Sequence, residues 1–392
     1  MRLLFIKERF GWPRSSGHDV HGYHLMRELG RRGHDVSLAT IHEPDPRALD
    51  GAGLVSIYQL SDESVGEPLA LSKSQERFRN YWGIPVGRIQ QAGKLARDLD
   101  ADAVIVVGLN VLPYLGAVRN SQRIWYAGDE WVWHHLSQTS VWRPSTWKEA
   151  KQAVVKGLYE RAYRSLLDRV WMVSESDRRA LRWVTGCANV DVLANGVDGD
   201  HFAPGNEAIE LHSCVFWGRL DFGPNIQALE WFCGHVWPRL RSEVNNARFT
   251  IYGFQPTDAV RKLVREDQGI TLTADQPDIR SEVRRHAVVV LPFVSGGGIK
   301  NKLLEAAALG KAIVATPRTL RGLNAGTAIA TGSSSRAFAR EVLSLWKSPS
   351  RLEQLGKAAR AWVLAEHTWE RTAEMAERGM MLGQPKPEAL PA

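Results

Sequence analysis

The chain has 392 residues, 44% of them hydrophobic and 24% charged, the make-up of a soluble globular protein long enough for two α/β domains. A net charge of +7 suits an anionic partner, but bases and acids are interspersed and no zinc-finger or RNA-binding aromatic pattern occurs, so a nucleoside diphosphate or an acidic membrane surface fits better than nucleic acid. Cys187, Cys214 and Cys233 stand far apart without metal spacing, as free thiols in a reducing cytoplasm do, and no run has the length of a membrane span or the apolar core of a signal peptide.

The first half alternates strand and helix signals. Residues 3–6 form an apolar run that predicts a buried strand. A loop from Gly11 to Gly17 follows, then a helix over 18–32 with Leu25 and Leu29 on its apolar face and Gly33 as its stop. Strands are predicted at 35–39, 103–107, 123–126, 170–173 and 190–193. Between them, residues 146–167 predict a long helix bearing Lys148, Lys151, Lys156, Arg161 and Arg164 against Glu149 and Glu160. Two readings stay open for it. It rests on an anionic leaflet, where each base adds about 1 kcal/mol, or it is a solvated helix packed on Val154, Val155 and Leu158. The chain has 15 tryptophans, several between Trp125 and Trp147, which suit core packing, sugar stacking or a water–lipid boundary. His134 and His135 in that stretch have no partner spacing and read as structural.

Near Asn195-Gly196-Val197-Asp198 the pattern breaks into a link running to Gly205, and then it restarts. Strands are predicted at 214–217, 248–252 and 270–272, and helices at 225–233, 258–266, 280–286, 336–346 and 349–366. The most informative stretch is 288–317. An apolar run ends in Pro292; Gly296, Gly297 and Gly298 follow; Lys300, Asn301 and Lys302 precede a helical run stopped by Gly310; residues 312–316 are again a strand. A strand, a glycine loop and a helix start bring unpaired backbone N–H groups and the positive helix end to one point, which suits a phosphate. Glu305, about one turn into the helix, offers a carboxylate to sugar hydroxyls. The residues therefore predict a site for a phosphorylated, hydroxyl-rich ligand. Repeated βα units on both sides of one link predict two doubly wound parallel sheets.

These features together resemble the GT-B glycosyltransferases, in particular the large retaining family (glycosyltransferase family 4-like) that includes bacterial polysaccharide and phosphatidylinositol mannosyl transferases. The resemblance rests on Gly17 with Arg32-Gly33-His34-Asp35-Val36, on Val173-Ser174-Glu175-Ser176, on Asn195-Gly196-Val197-Asp198 with Phe202 and Pro204, on Trp217-Gly218-Arg219-Leu220-Asp221, and on the glycine loop through Leu304-Glu305-Ala306 to Gly310-Lys311. It covers nearly the whole chain, and the Gly-Ile-x-Asn-Lys loop is closest to exopolysaccharide-type sugar transferases. It implies a GT-B fold of two Rossmann-like domains facing a central cleft: an acceptor-side domain over 1–198, a hinge over 199–210, a nucleotide-sugar domain over 211–370, and a C-terminal helix with a disordered tail over 371–392.

By resemblance, Glu305 binds the ribose of a nucleoside diphosphate sugar and Arg219 neutralises the leaving diphosphate. Gly17, Gly297, Gly298, Ile299, Lys300, Asn301 and Lys302 complete the donor site. The reaction so implied moves a sugar to an acceptor hydroxyl with retention, in polysaccharide or glycolipid synthesis, and needs no carboxylate nucleophile because the departing phosphate takes the acceptor's proton. Three positions depart from the family. Gly297 stands where a glutamate precedes Glu305 by eight residues, Asn225 stands where a lysine follows Arg219 by six, and Gly128 stands where a histidine precedes an acid. Lys300 or Lys302 is expected to supply the missing cation. Asp129 either orients the acceptor or caps the next helix, and Glu130 is the second choice. Asp98-Leu-Asp100 and Asp198-Gly-Asp200 imitate a metal motif without its placement, so neither a metal nor a cofactor is expected. The expected partners are a nucleotide-sugar donor, a glycan or lipid-linked acceptor and an anionic membrane surface, with the protein in the cytoplasm or at the inner face of the membrane. Competing readings are a sugar-nucleotide epimerase, a non-catalytic nucleotide-sugar-binding protein suggested by Gly297, and, remotely, a nucleic-acid binder.

Overall fold

The computed structural model describes residues 1–12, 14, 16–63, 66, 69, 71–128, 132, 147–266, 269–276, 278–296 and 300–382. The chain divides into two compact units, Met1–Ala194 with Trp369–Ala392, and Asn195–Thr368.

The first unit is a parallel sheet of seven strands, β1 (Arg2–Lys7), β2 (Asp35–Thr40), β3 (Ser56–Gln59), β4 (Ala103–Val107), β5 (Gln122–Gly128), β6 (Arg169–Met172) and β7 (Val190–Val192), in the order β3-β2-β1-β4-β5-β6-β7. All five residues of β4 are buried, as a strand covered on both faces requires. The helices are α1 (Gly17–Arg31), α2 (Pro46–Leu49), α3 (Lys73–Tyr81), α4 (Val86–Asp98), α5 (Trp147–Tyr163) and α6 (Glu175–Thr185). Their starts are set locally. Ser16 accepts the Asp19 amide, Ser72 forms a capping box with Gln75, and Ser174 accepts the Asp177 amide. Gly186 ends α6 in the left-handed conformation. Leu4, Ile6, Val104, Val106 and Trp125 feed a core on one face of the sheet, and Leu3, Phe5, Ala103, Ile105 and Tyr126 a core on the other.

The second unit is a parallel six-stranded sheet of β8 (Glu210–Arg219), β9 (Arg248–Phe254), β10 (Ile270–Ala274), β11 (His286–Leu291), β12 (Ala312–Ala315) and β13 (Ala330–Thr331), ordered β10-β9-β8-β11-β12-β13. Its helices are α7 (Gly223–Trp231), α8 (Trp237–Glu243), α9 (Asp258–Glu266), α10 (Arg280–Arg285), α11 (Asn301–Ala308), α12 (Ser335–Trp346) and α13 (Pro349–Glu366). A π-helical stretch, Phe232–Val236, joins α7 to α8. The last helix, α14 (Trp369–Leu382), belongs to the first unit.

Three segments gain detail, and one expectation, the packed face of α5, changes. The final helix is part of the first core: Ala373, Ala376 and Met380 are fully buried with Leu3 and Phe5, and Glu377 pairs with Arg32 and His34. The hinge expected over 199–210 is fastened within the second unit, by an Arg284–Glu207 ion pair of 2.7 Å and by Arg360 Nη1 donating to the Phe202 carbonyl at 3.2 Å. On α5 the packed face is Ala153, Tyr159, Glu160 and Tyr163, whereas Val154 and Leu158 are 61% and 56% exposed. Large aromatic side chains with polar tips took the core positions, and the smaller aliphatics were left outside. Tyr159 and Tyr163 direct their hydroxyls to the carbonyls of Leu109 and Gln75.

Candidate functional site

In the second sheet the connections reverse between β8 and β11, so a crevice opens at their carboxyl ends. The sequence places its chemistry there. β8 ends in Phe216-Trp217-Gly218-Arg219, and α11 starts ten residues after β11.

Lys302 is the centre of the group. Its Nζ donates to Asn225 Oδ1 at 2.9 Å and lies 4.2 Å from the Phe216 ring centroid and 5.1 Å from that of Phe293. Asn225 Nδ2 donates to the Arg219 carbonyl at 2.6 Å, which ties the first turn of α7 to the end of β8. Gly218 makes this possible. Its φ is +139°, and a Cβ there would lie 2.7 Å from Lys302 Nζ. Burial lowers the Lys302 amine from 10.5 to about 7; Lys300 pushes the same way and Glu305 opposes. Lys300 caps α11 with its amine 5.3 Å from the Phe293 ring. Both lysine amines thus lie near the Phe293 ring, at 5.3 and 5.1 Å from its centroid.

Glu305 is half-buried, not a solvated helix-start residue. Its Oε2 accepts the Trp217 indole N–H at 3.0 Å, and burial raises its pKa while that bond and Lys302 counteract. The carboxylate is thus held in one orientation with its other lone pairs available to a diol. Arg219 forms a two-point ion pair with Asp221 (2.7 and 3.1 Å), its side chain 48% exposed. Such an exposed pair contributes only about 0.2–1 kcal/mol, so a doubly charged ligand can displace Asp221. Asn301 Oδ1 accepts from Asn195 Nδ2 at 2.7 Å.

Asn225, Lys300, Lys302 and Glu305 therefore come together beside the backbone of Arg219, whose guanidinium is held by Asp221. Gly297, Gly298 and Ile299, like Asp129, Glu130, His134 and His135, lie outside the described residues. Gly17 starts α1 in the first unit, with nothing within 4 Å of where a Cβ would stand. Sequence reasoning missed roles for Trp217, Phe216, Phe293 and Asn195. The alternation along β8 signalled the first, since Trp217 and Arg219 fall on the same side of the strand. The two Asp-x-Asp pairs have other work. Asp98 pairs with Lys94, Asp100 with Arg2, and Asp198 accepts the amides of Asp200 and His201. Among the described residues no cluster of three or more His, Cys, Asp or Glu could hold a metal ion.

Residues 212–348, the stretch that carries this group, match the family described as Glycosyl transferases group 1. No curated protein matches the chain in sequence. Solved structures do match it in fold. Anabaena HepE in complex with UDP and glucose superposes with a TM-score of 0.66 at 12% identity, over 96% of this chain and 99% of that one. A glycosyltransferase from Rickettsia africae gives 0.65 at 12%, over 97% and 98%. A variant of S. aureus TarM in complex with Fondaparinux, alpha-GlcNAc-glycerol and UDP gives 0.68 at 10%, over 97% and 100%. Two parallel-sheet Rossmann-like units with these neighbours are the GT-B architecture expected from the sequence.

Proposed function

We propose that the protein transfers a sugar from a nucleoside diphosphate sugar to an acceptor hydroxyl, with retention and without a metal ion, in polysaccharide or glycolipid synthesis. The observation that carries this reading is the group at the end of β8: Lys302, Lys300 and Arg219 for the diphosphate, and Glu305, oriented by Trp217, for the ribose diol. The family's lysine is absent at Asn225, but the Lys302 ammonium sits 2.9 Å from that side chain and supplies the charge from another helix. UDP in the neighbouring HepE and TarM structures supports a uridine nucleotide among the donors to try first.

As the glycosidic bond breaks, negative charge grows on the departing diphosphate. Cations already in place stabilise that charge more in the transition state than in the ground state, and this lowers the barrier. The acceptor's proton passes to a departing phosphate oxygen, so the protein's main tasks are positioning and charge stabilisation. Asp129 remains the candidate to orient the acceptor.

The outward face of α5 supports peripheral contact with an anionic membrane. Trp147, Lys151, Val154, Leu158 and Arg161 recur at helical spacing and are all exposed. Among the described residues no helix is long and apolar enough to cross a membrane.

A thermal-shift panel of UDP, GDP, ADP and their sugars tests the donor site. A ligand at a hundred times its Kd stabilises by about 2.7 kcal/mol. Glu305→Ala and Arg219→Ala should each remove most of that shift; full shifts in both would refute the assigned pocket.

A further inference from the structure

The first sheet also reverses its connections, between β1 and β4, and so opens a crevice beyond their carboxyl ends, within the first unit. A cavity of about 250 Å³ lies there, lined on one side by Lys7 and Glu8 and on the other by Gly108 and Asn110. It is smaller than the ~300–1,000 Å³ sites of drug-sized ligands and suits a single sugar ring. The backbone on both sides is pinned. Gly108 takes a φ of +100°, its amide donates to the Tyr126 carbonyl at 3.0 Å, and its carbonyl accepts the Trp125 indole N–H at 3.0 Å. The Leu109 carbonyl accepts the buried Tyr159 hydroxyl at 3.2 Å. Buried aromatic donors from β5 and α5 therefore hold the turn that carries Asn110. Opposite, the Glu8 carbonyl accepts the amides of Ile41 and His42 at 3.2 and 3.0 Å.

The charges in the cavity are sorted. Lys7 Nζ pairs with Asp19 Oδ1 at 2.5 Å, and both side chains are largely buried. Lys156 of α5 also lines the cavity and stands in the fields of Glu160 and Glu149. Glu8 Oε2 accepts from Asn110 Nδ2 at 3.1 Å. A carboxylate can only accept, so the carboxamide turns its nitrogen, not its oxygen, to Glu8. Among the described residues Glu8 forms no ion pair, and neither its Oε1 nor Asn110 Oδ1 has a hydrogen-bond partner. Two rigidly held acceptors side by side match adjacent sugar hydroxyls, which have protons to give. Ionised phosphate oxygens have none to give and meet the charge of the carboxylate as well.

We propose that Glu8 and Asn110 form a subsite for a neutral, unphosphorylated sugar, accepting hydrogen bonds from two of its adjacent hydroxyls. On the transferase reading, on which this role rests, the sugar is a residue of the acceptor glycan. The binding itself uses the first unit alone. The subsite selects by charge: a sugar phosphorylated on its ring loses by repulsion what its hydroxyls gain.

The test titrates the full chain with the methyl glycosides of glucose, galactose, mannose and N-acetylglucosamine and with glucose 6-phosphate, followed by ligand-observed NMR. Melting temperature and UDP thermal shift are measured for each variant. At least one glycoside should bind the wild type in the millimolar range, and more tightly than glucose 6-phosphate. Glu8→Ala should weaken that binding about tenfold or more, the loss of a charge-assisted hydrogen bond, and Asn110→Ala about threefold or more. Glu8→Gln removes the charge and should narrow the preference over glucose 6-phosphate. Glu8 and Asn110 are both exposed, so melting temperature and UDP shift should stay at wild-type values. No glycoside bound by the wild type, unchanged binding in Glu8→Ala, or tighter binding of glucose 6-phosphate would overturn the proposal while leaving the donor site standing. Glycoside binding through Glu8 in a protein that binds none of UDP, GDP and ADP would support the subsite and remove the transferase reading.

Discussion

Lys302 gives the most direct quantitative prediction. With its amine lowered to about 7, only about a quarter of the molecules carry the proton at pH 7.5 when no anion is bound. A diphosphate favours the ammonium and raises that pKa, so binding should take up about 0.7 proton at this pH. The sign is fixed. The charged form binds, so affinity is full below pH 7 and declines as pH rises, by up to about eightfold between pH 7.5 and 8.5. UDP-glucose is a suitable first ligand because its diphosphate has no ionisation of its own near neutrality. Calorimetry in buffers of different ionisation enthalpy counts the protons. Lys302→Met keeps the apolar stem over Phe216 and Phe293, and should abolish the uptake and weaken binding about 10- to 150-fold, the loss of one charge-assisted hydrogen bond. No uptake in the wild type, or the same uptake in Lys302→Met, would refute the placement of this cation against the donor.

Three further outcomes are expected. Gly218→Ala places a methyl 2.7 Å from Lys302 Nζ at a φ of +139°, so it should lower the melting temperature and remove most of the nucleotide shift; wild-type binding would show that the glycine is incidental. His21 is buried against Tyr126 and Trp369 with its pKa pushed down from 6.5 to about 3 by burial, so the unfolded chain takes up a proton that the folded one refuses. Stability should therefore fall by about 1.4 kcal/mol per pH unit as pH drops from about 6 towards 3, and the slope should flatten in His21→Gln; identical slopes in acid denaturation would contradict this. The exposed face of α5 predicts sedimentation with vesicles rich in phosphatidylserine at low salt, weakened by high salt and by Leu158→Glu; binding indifferent to both would end the membrane proposal.

Much of the fold was legible because it rests on local signals. The apolar run at 103–107 is buried on both faces, and the glycines read as helix stops stand just past helix ends with positive φ, Gly33 after α1 and Gly310 after α11. The short edge strand β3 carried a weaker pattern and was not foreseen, and of α4 only its end at Asp98, ahead of β4, was read. α4 is amphipathic through alanine and glycine, and its close approach to Ala117 depends on Gly93, where a Cβ would meet that carbonyl at 2.4 Å. The inward turn of Tyr159 and Tyr163 was illegible for a different reason. Their burial depends on carbonyl partners at Leu109 and Gln75, far away in sequence, which no periodicity reports.

The candidate site was legible as a set of residues and not as an arrangement, and the departures from the pattern of the family it resembles show why. A motif compares one position with one position, so Asn225 and Gly128 read as losses. Space compares volumes. The ammonium absent from position 225 arrives from α11 as Lys302, hydrogen-bonded to the asparagine, and the side chain absent from position 128 is replaced by His18, whose ring would collide with any Cβ there. The replacements are coupled to the glycines that admit them, Gly218 and Gly128, since a methyl at either would strike the incoming group. Each glycine and its incoming side chain therefore constrain one another. Restoring the family residue at 128 alone should damage the protein, because a histidine introduced there would have to displace the one already present.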